Sequence, residues 1–267
     1  MRQQLAQTPD KTLVMGIVNV TPDSFSDGGR YFRPEEALNH AETLAAEGAD
    51  VIDIGAESTR PDSIQLTSEE EIRRLEPVLS ELRQRVSLPI SVDTYHAKTA
   101  SFALEHGADI INDVWGGLAD PDILSVVAKS GCEYIYMHNR KEPTDDDIMR
   151  VLLAETERGI AMCLEAGIPQ RKLWIDPGIG FGKTFQQNLK ILGRMEEYCE
   201  LGYPVLLGTS RKSVVGKTLD VPVGERLEGS LATVAVGVMK GVQSVRVHDA
   251  KSTVRTCRMV EAIIHAS

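Results

Sequence analysis

Short runs of β-branched and apolar residues alternate along the chain with longer stretches whose apolar positions recur every three or four residues. That alternation is the pattern of strand–helix units built around a parallel sheet. Eight units can be drawn. Their strands run from Thr12 to Asn19, Asp50 to Gly55, Pro89 to Asp93, Asp109 to Asp113, Cys132 to Met137, Leu173 to Asp176, Pro204 to Leu207 and Ser244 to Val247. The helices that follow them cover Pro34 to Glu47, Ser68 to Val86, Ala97 to His106, Pro121 to Ser130, Ile148 to Ala166, Phe185 to Cys199, Gly224 to Met239 and Ala250 to His265. A faint repeat supports the count, since Gly48-Ala49-Asp50-Val51-Ile52-Asp53 matches Gly107-Ala108-Asp109-Ile110-Ile111-Asn112, with looser echoes from Gly131 and Gly241. Each is a helix stop followed by a strand, and glycine just past a helix end supplies the left-handed turn. The expected fold is an α/β TIM (β/α)8 barrel, in one domain over residues 1–267.

Two strand-to-helix connections, Val20 to Phe32 and Glu57 to Thr67, are longer than compact domains usually carry, and such connections are often lids or binding loops. A barrel places both on its catalytic face. The other glycine-rich segment, Gly180-Phe181-Gly182-Lys183, lacks the spacing of a Walker phosphate loop.

Composition narrows the function classes. A net charge of −10 argues against a general nucleic-acid binder, and aromatics at 5% leave no stacking platform for single strands. The first stretch, Met1 to Thr12, lacks the apolar core of a secretory signal, and no apolar run approaches the roughly 20 residues that span a bilayer. A cytoplasmic protein without membrane partners is expected. Cys132, Cys163, Cys199 and Cys257 are widely separated, which favours neither a disulfide framework nor a zinc site.

The strand ends carry the chemistry. Asn19 closes the first, Asp93 the third, Asn112 and Asp113 the fourth, Asp176 the sixth, and Arg246 with His248 the eighth. In a barrel these converge where barrel enzymes keep their reacting groups. Each has a plainer alternative: Asp93-Thr94 as a helix N-cap, Asn112-Asp113 as a turn closure, Asp176-Pro177-Gly178 as an ordinary turn. Taken together, two acids and a carboxamide on fixed strands suit a flat heterocycle with an amino-pyrimidinone edge. A cationic set follows strands seven and eight, comprising Ser210-Arg211-Lys212-Ser213 and Arg246-Val247-His248, where barrels often bind phosphate. Arg246 and His248 are two apart and therefore share a face. The loop from Thr21 to Gly29 places Asp23 and Asp27 around Phe25, and is too polar for a core segment.

Over nearly its whole length the chain resembles the dihydropteroate synthase family. The matching blocks are Asn19 through Gly29, Glu57-Ser58-Thr59-Arg60-Pro61, Ser91-Val92-Asp93-Thr94, Ile111-Asn112-Asp113, Asp176-Pro177-Gly178 through Lys183, Ser210 through Ser213, and Arg246-Val247-His248-Asp249. The resemblance implies condensation of 6-hydroxymethyl-7,8-dihydropterin pyrophosphate with para-aminobenzoate to give 7,8-dihydropteroate and pyrophosphate. It implies that Asp93, Asn112, Asp176 and Lys212 bind the pterin, with Met137 and Phe181 as apolar walls. Asn19, Arg246 and His248 would hold the pyrophosphate with Mg2+, Asn19 serving as the metal ligand. Phe25, Thr59, Arg60, Pro61 and Ser213 would shape the para-aminobenzoate pocket, Asp23 and Asp27 would belong to a mobile loop, and Asn19, Asp93, Lys212, Arg246 and His248 would form the catalytic set. Departure of the diphosphate would run ahead of attack, through a cationic pterin methylene held near Asp93 and Asp176. The resemblance also implies a homodimer formed through the last helices and a sulfonamide-sensitive second site.

Three positions depart from the family pattern: Ala56 and Asp62 stand where glycine is common, and Trp115 where smaller or polar residues are common. Two rivals remain at this stage. One is a methyltetrahydrofolate-type pterin methyltransferase, which shares the pterin acids but has no use for the anion set Arg60, Lys212, Arg246 and His248. The other is a non-catalytic pterin-binding paralogue, against which the intact first loop argues.

Overall fold

A computed structural model describes residues 11–20, 34–56 and 65–266. The strands are β1 (Leu13–Asn19), β2 (Val51–Gly55), β3 (Ile90–Asp93), β4 (Ile110–Asp113), β5 (Glu133–Met137), β6 (Leu173–Asp176), β7 (Leu206–Leu207) and β8 (Ser244–Val247). All pair in parallel in the order β6-β5-β4-β3-β2-β1-β8-β7, and a single bridge, Ile175 to Val205, joins β6 to β7 and brings the barrel round. The TIM (β/α)8 expectation is met.

Ten helices are found among the described residues: α1 (Pro34–Ala46), α2 (Ser68–Arg85), α3 (Ala97–Glu105), α4 (Asp122–Ser130), α5 (Ile148–Glu165), α6 (Phe185–Gly193), α7 (Met195–Cys199), α8 (Ser213–Leu219), α9 (Leu227–Met239) and α10 (Ala250–His265). Local chemistry sets many of their ends. Thr67 caps α2 by accepting from the Glu70 N–H, Asp147 caps α5, and Thr184 with Gln187 forms a reciprocal capping box on α6.

Two expected helices need correction. The stretch from Phe185 to Cys199 is broken at Arg194 (φ −123°, ψ 30°), which follows Gly193, a residue that weakens a helix interior by about 1 kcal/mol relative to alanine. The seventh helix begins at Leu227 rather than Gly224, after a 3-10 turn at Val223–Glu225. The short α8, directly after Lys212, was not expected at all, because seven residues hold too few turns for a periodic signal.

Strand alternation sorts the barrel into an outer and an inner face. Val14, Val18, Ile52, Ile54, Val92, Ile111, Tyr134, Ile175, Leu207 and Val245 point out and join the large core beneath the helices. Leu13, Met15, Val51, Ile110, Ile135, Trp174 and Leu206 point in and form a separate apolar plug at the amino-terminal end of the barrel. The register sets Met15 beside Val51 and Arg246, Asp53 beside Ser91, Asp93 beside Asn112, and Met137 beside Asp176. Continuing two residues past the plug brings Asp53, Asn112 and Asp176 to the mouth, with the apolar Met137 between the last two. Asp93 and Arg246 lie on the same inward face, so a largely polar ring faces across the opening.

Candidate active site

Asp53, Asp93, Asp176 and Arg246 meet in that ring, with Lys212 reaching in from the end of the β7 loop. The arrangement around Arg246 is the tightest part. Its Nε–H donates to Asp53 Oδ2 at 2.6 Å and its Nη2–H to Asp93 Oδ2 at 2.8 Å. Asp53 is fully buried and Asp93 is 8% exposed. Burial opposes the charge on Arg246, yet Asp53 and Asp93 outweigh it and raise the guanidinium pKa above its ordinary value. Arg246 thus enters the ring already shared between two carboxylates. Among the described residues these two bonds engage Nε and Nη2, and the guanidinium fork still carries the donors of Nη1.

Asp176 terminates β6 and both turns the chain and faces the ring. The Gly178 N–H donates to its Oδ1 at 2.7 Å, so the carboxylate closes the turn while its side chain lies on the inward face of the barrel. Burial pushes its carboxyl pKa up, against the pull of Lys212 and the Gly178 N–H. Lys212 Nζ donates to the Ile179 carbonyl at 2.7 Å and lies 4.7 Å from the centre of the Phe181 ring, within cation–π reach. Burial lowers its pKa to about 8, with Asp176 working the other way. Gly208 sits between these groups: a methyl built on it would lie 3.7 Å from Lys212 Nζ and 3.9 Å from both Asp176 Oδ2 and Arg246 Cβ.

The alternatives left open for the other strand ends resolve separately. Asp93 is not an N-cap, because α3 starts after His96, while Thr94 Oγ1 donates to Glu71 Oε2. Asn112 and Asp113 divide their roles by alternation. Asn112 is buried on the inward face beside Asp93, whereas Asp113 points outward and closes the turn, accepting from the Trp115 and Gly117 N–H groups and from Tyr134 Oη. Burial raises the Asp113 pKa, with the Tyr134 hydroxyl opposing. Met137 packs with Tyr95 and Val114, and Trp115 and Phe181 lie against that cluster, which makes an apolar wall beside the ring. A recess of about 950 Å3 opens next to it between β5 and α5, lined among others by Tyr95, Trp115, Tyr136 and Arg140. It contains none of the ring's charged residues.

On the β7–β8 side, the His248 N–H donates to Ser210 Oγ at 3.2 Å and His248 Nδ1 lies 3.0 Å from the same oxygen, which pins the imidazole to the loop that carries Lys212. Arg211 is turned away from the ring and pairs with Asp249 at 2.6 Å, so it does not join the cationic set. Asn19 ends β1, half-buried, and Ser213 is exposed at the start of α8. Asp23, Phe25, Asp27, Thr59, Arg60, Pro61 and Asp62 lie outside the described residues. No group of three or more His, Cys, Asp or Glu side chains arranged for a metal ion occurs among the described residues.

Sequence reasoning overlooked Asp53, although an acid inside the apolar run Val51-Ile52-Asp53-Ile54 is itself a signal of a buried ionic partner. It also passed over Tyr95 and Gly208, which carry no motif, and it noted Trp115 only as a departure.

The profile of the family described as pterin binding enzyme matches residues 15–248. Dihydropteroate synthase of Bacillus subtilis is 46% identical over 256 residues, covering 96% of this chain and 90% of that protein. The Clostridium beijerinckii enzyme of the same name is 43% identical, covering 96% and 95%. Among solved structures, the dihydropteroate synthase of Clostridium difficile in the presence of pteroic acid superimposes with a TM-score of 0.93 at 46% identity, covering 96% of this chain and 98% of that one. That of Xanthomonas albilineans with 4-aminobenzoic acid gives 0.92 at 41%, covering 96% and 94%.

Proposed function

The chain belongs to the pterin binding enzyme family and acts in it as a dihydropteroate synthase, a transferase of folate biosynthesis, and from that premise we propose how its residues divide the reaction. The substrates are 6-hydroxymethyl-7,8-dihydropterin pyrophosphate and para-aminobenzoate. The observation that carries the division is the placement of Asp93, Asn112, Asp176 and Lys212 around one opening, above an apolar plug and beside the Met137–Phe181 wall. Carboxylates and a carboxamide on neighbouring strands accept from and donate to the amino-pyrimidinone edge, while the wall covers the ring face.

In this reading the diphosphate leaves toward Lys212, Arg246 and His248. Charge develops on the leaving oxygen as the C–O bond breaks, and preorganised cations stabilise it without reorganising at that moment. The pterin methylene becomes electron-poor at the same time, and Asp93 and Asp176 lie on the side where that positive charge forms. The neutral aryl amine then captures the carbon and loses its proton afterwards, so no strong base is required. Arg246 links the two halves, since it holds Asp53 and Asp93 through Nε and Nη2 and would offer the Nη1 donors to the anion.

Mg2+ belongs to the proposal as well. Asn19 supplies a hard oxygen donor at the ring, and a diphosphate would contribute the other oxygens, the usual arrangement for this ion. When bound, the ion would neutralise charge on the leaving group. We also propose a homodimer: Val236 and Met239 of α9 and Met259, Ile263 and Ile264 of α10 are exposed apolar residues on adjacent helices. Among the described residues no helix is long and apolar enough to cross a membrane, and all four cysteines are free thiols, which supports a cytoplasmic location.

The deciding experiment is an assay of the purified protein with both substrates and Mg2+, with dihydropteroate and pyrophosphate both quantified. Stoichiometric appearance of the two products is expected, with competitive loss when a sulfonamide is titrated against para-aminobenzoate. Binding of the pterin without any pyrophosphate release would instead favour a non-catalytic pterin-binding paralogue.

A further inference from the structure

Lys183 follows the glycine-rich turn after β6 and has no part in the reaction as described above. Its half-buried side chain points its ammonium inward, where Nζ donates to three backbone carbonyls: Gly178 at 2.9 Å, Phe181 at 2.9 Å and His138 at 3.3 Å. Three donors meet three acceptors, which fully satisfies the ammonium. Two of these carbonyls belong to the loop that carries Phe181, and the third lies just past β5, one residue after Met137. Lys183 therefore ties the two segments that form the apolar wall of the pterin pocket.

The loop is also held by Asp176, which accepts from the Gly178 N–H, and by the fully buried Ile179. Gly178, Gly180 and Gly182 all have positive φ, at 65°, 88° and 54°. Gly178 lies so close to β5 that a methyl on it would stand 2.0 Å from the His138 carbonyl, and one on Gly182 would stand 1.9 Å from the Arg140 carbonyl. The close approach packs the loop backbone against the segment that follows β5, where the His138 carbonyl needs a donor. Lys212 takes the Ile179 carbonyl and Asn188 Oδ1 accepts from the Gly180 N–H, so the loop is suspended from two lysines and one asparagine. Loss of Lys183 removes a donor from all three carbonyls, of which Gly178 keeps the Phe181 N–H at 3.1 Å.

We propose that Lys183 is a positioning residue for the pterin pocket, clamping the Gly178–Phe181 loop onto the end of β5 so that Phe181 and Asp176 are held where a bound pterin meets them. It acts through the loop and touches no substrate. The same clamp fixes the Gly178 N–H that orients Asp176 Oδ1, and a displacement of about 1 Å at such a point is enough to cost on the order of a hundredfold in rate. Burial works against the charge and lowers the Lys183 pKa to about 7, with Asp176 opposing the shift and Lys212 adding to it; the clamp rests on the three donor bonds, two of which a neutral amine can still make.

This inference rests on the pterin reading of the ring, and the test separates the two. Equilibrium binding of 6-hydroxymethylpterin and steady-state kinetics for both substrates are measured on the wild-type enzyme and on Lys183→Met, Lys183→Gln and Lys183→Arg. Lys183→Met is expected to weaken pterin binding and raise the KM for the pterin pyrophosphate by about tenfold or more, with the KM for para-aminobenzoate unchanged. Lys183→Gln keeps amide donors and should fall between, while Lys183→Arg, with charge and donors retained, should recover most of the affinity. A purely structural role would lower thermal stability and the amount of active enzyme while leaving both KM values alone. Unaltered pterin affinity in Lys183→Met, or in Lys183→Gln should the first variant not fold, overturns the inference. A wild-type protein that binds no pterin overturns the reading beneath it.

Discussion

Replacing Arg246 by methionine removes the cation shared by Asp53 and Asp93 while keeping an unbranched side chain that fills the apolar stem of the arginine. The two bonds lost are 2.6 and 2.8 Å long, and their acceptors are 0% and 8% exposed, so neither carboxylate can regain its interactions from bulk water. Asp53 Oδ1 already has no hydrogen-bond partner among the described residues, and the substitution would leave Asp53 Oδ2 in the same state. Removing one partner of a buried pair usually costs about 3–5 kcal/mol. With an unfolding entropy of about 2.1 cal/mol/K per residue, a chain of this length would lose about 5–9 °C in Tm. Urea unfolding followed by circular dichroism at pH 7 gives the free energy directly. Asp53→Asn alone keeps an acceptor for Nε and should cost only about 1–2 kcal/mol. In the Arg246→Met background the same change removes an orphaned buried charge, and should restore about 1.5 kcal/mol or more. The signature is thus a sign reversal of the Asp53→Asn effect between the two backgrounds. A loss below about 1 kcal/mol for Arg246→Met, or simple additivity of the two changes, would refute the shared-cation account. The pairing also alters the catalytic expectation for this residue: Asp93 loses its tether with Arg246, so pterin affinity should fall together with diphosphate release.

Lys212, whose pKa lies near 8 instead of its ordinary 10.5, loses its charge as pH rises through about 8, so kcat/KM for the pterin pyrophosphate should decline above that pH, and Lys212→Arg should move the falling limb out of range. An unmoved limb in Lys212→Arg would assign it to another group. The unfolded chain binds more protons than the folded one between about pH 8 and 10.5, so this lysine also makes stability rise with pH across that window. Gly208→Ala places a methyl at ordinary contact distances of 3.7–3.9 Å from Lys212, Asp176 and Arg246, so calorimetry should record an unchanged Tm while pterin titration gives a weaker affinity; unchanged affinity would mean that no ligand occupies that space. Paired substitutions Met259→Glu and Ile263→Lys on α10 should convert a dimer to a monomer in analytical ultracentrifugation, and a dimer that survives both would remove α10 from the interface.

Most of the barrel was legible because its strands are short β-branched runs with clear stops, and because residue alternation fixes which face each side chain takes. From that alone Asn19, Asp93, Asn112, Asp176 and Arg246 could be assigned to strand ends that converge. What failed was local and weak in signal: the break at Arg194 and the seven-residue α8, both too short for periodicity to resolve.

The sequence by itself determined the eight units, the polar strand ends and the family, because these depend on residue type, order and spacing along the chain. Only the tertiary structure decided who faces whom. Asp53 and Arg246 are 193 residues apart and meet only because β8 closes beside β1, one strand away from β2. That contact makes Arg246 a bridge between two acids, which its place in the sequence does not show. Lys183 tells the same story at shorter range, since one of the carbonyls it gathers, that of His138, lies 45 residues before it, and no spacing rule predicts which backbone oxygens a loop will turn inward. Charge pairing inside a barrel depends on distances across the ring, which strand register and closure set and which no linear pattern carries.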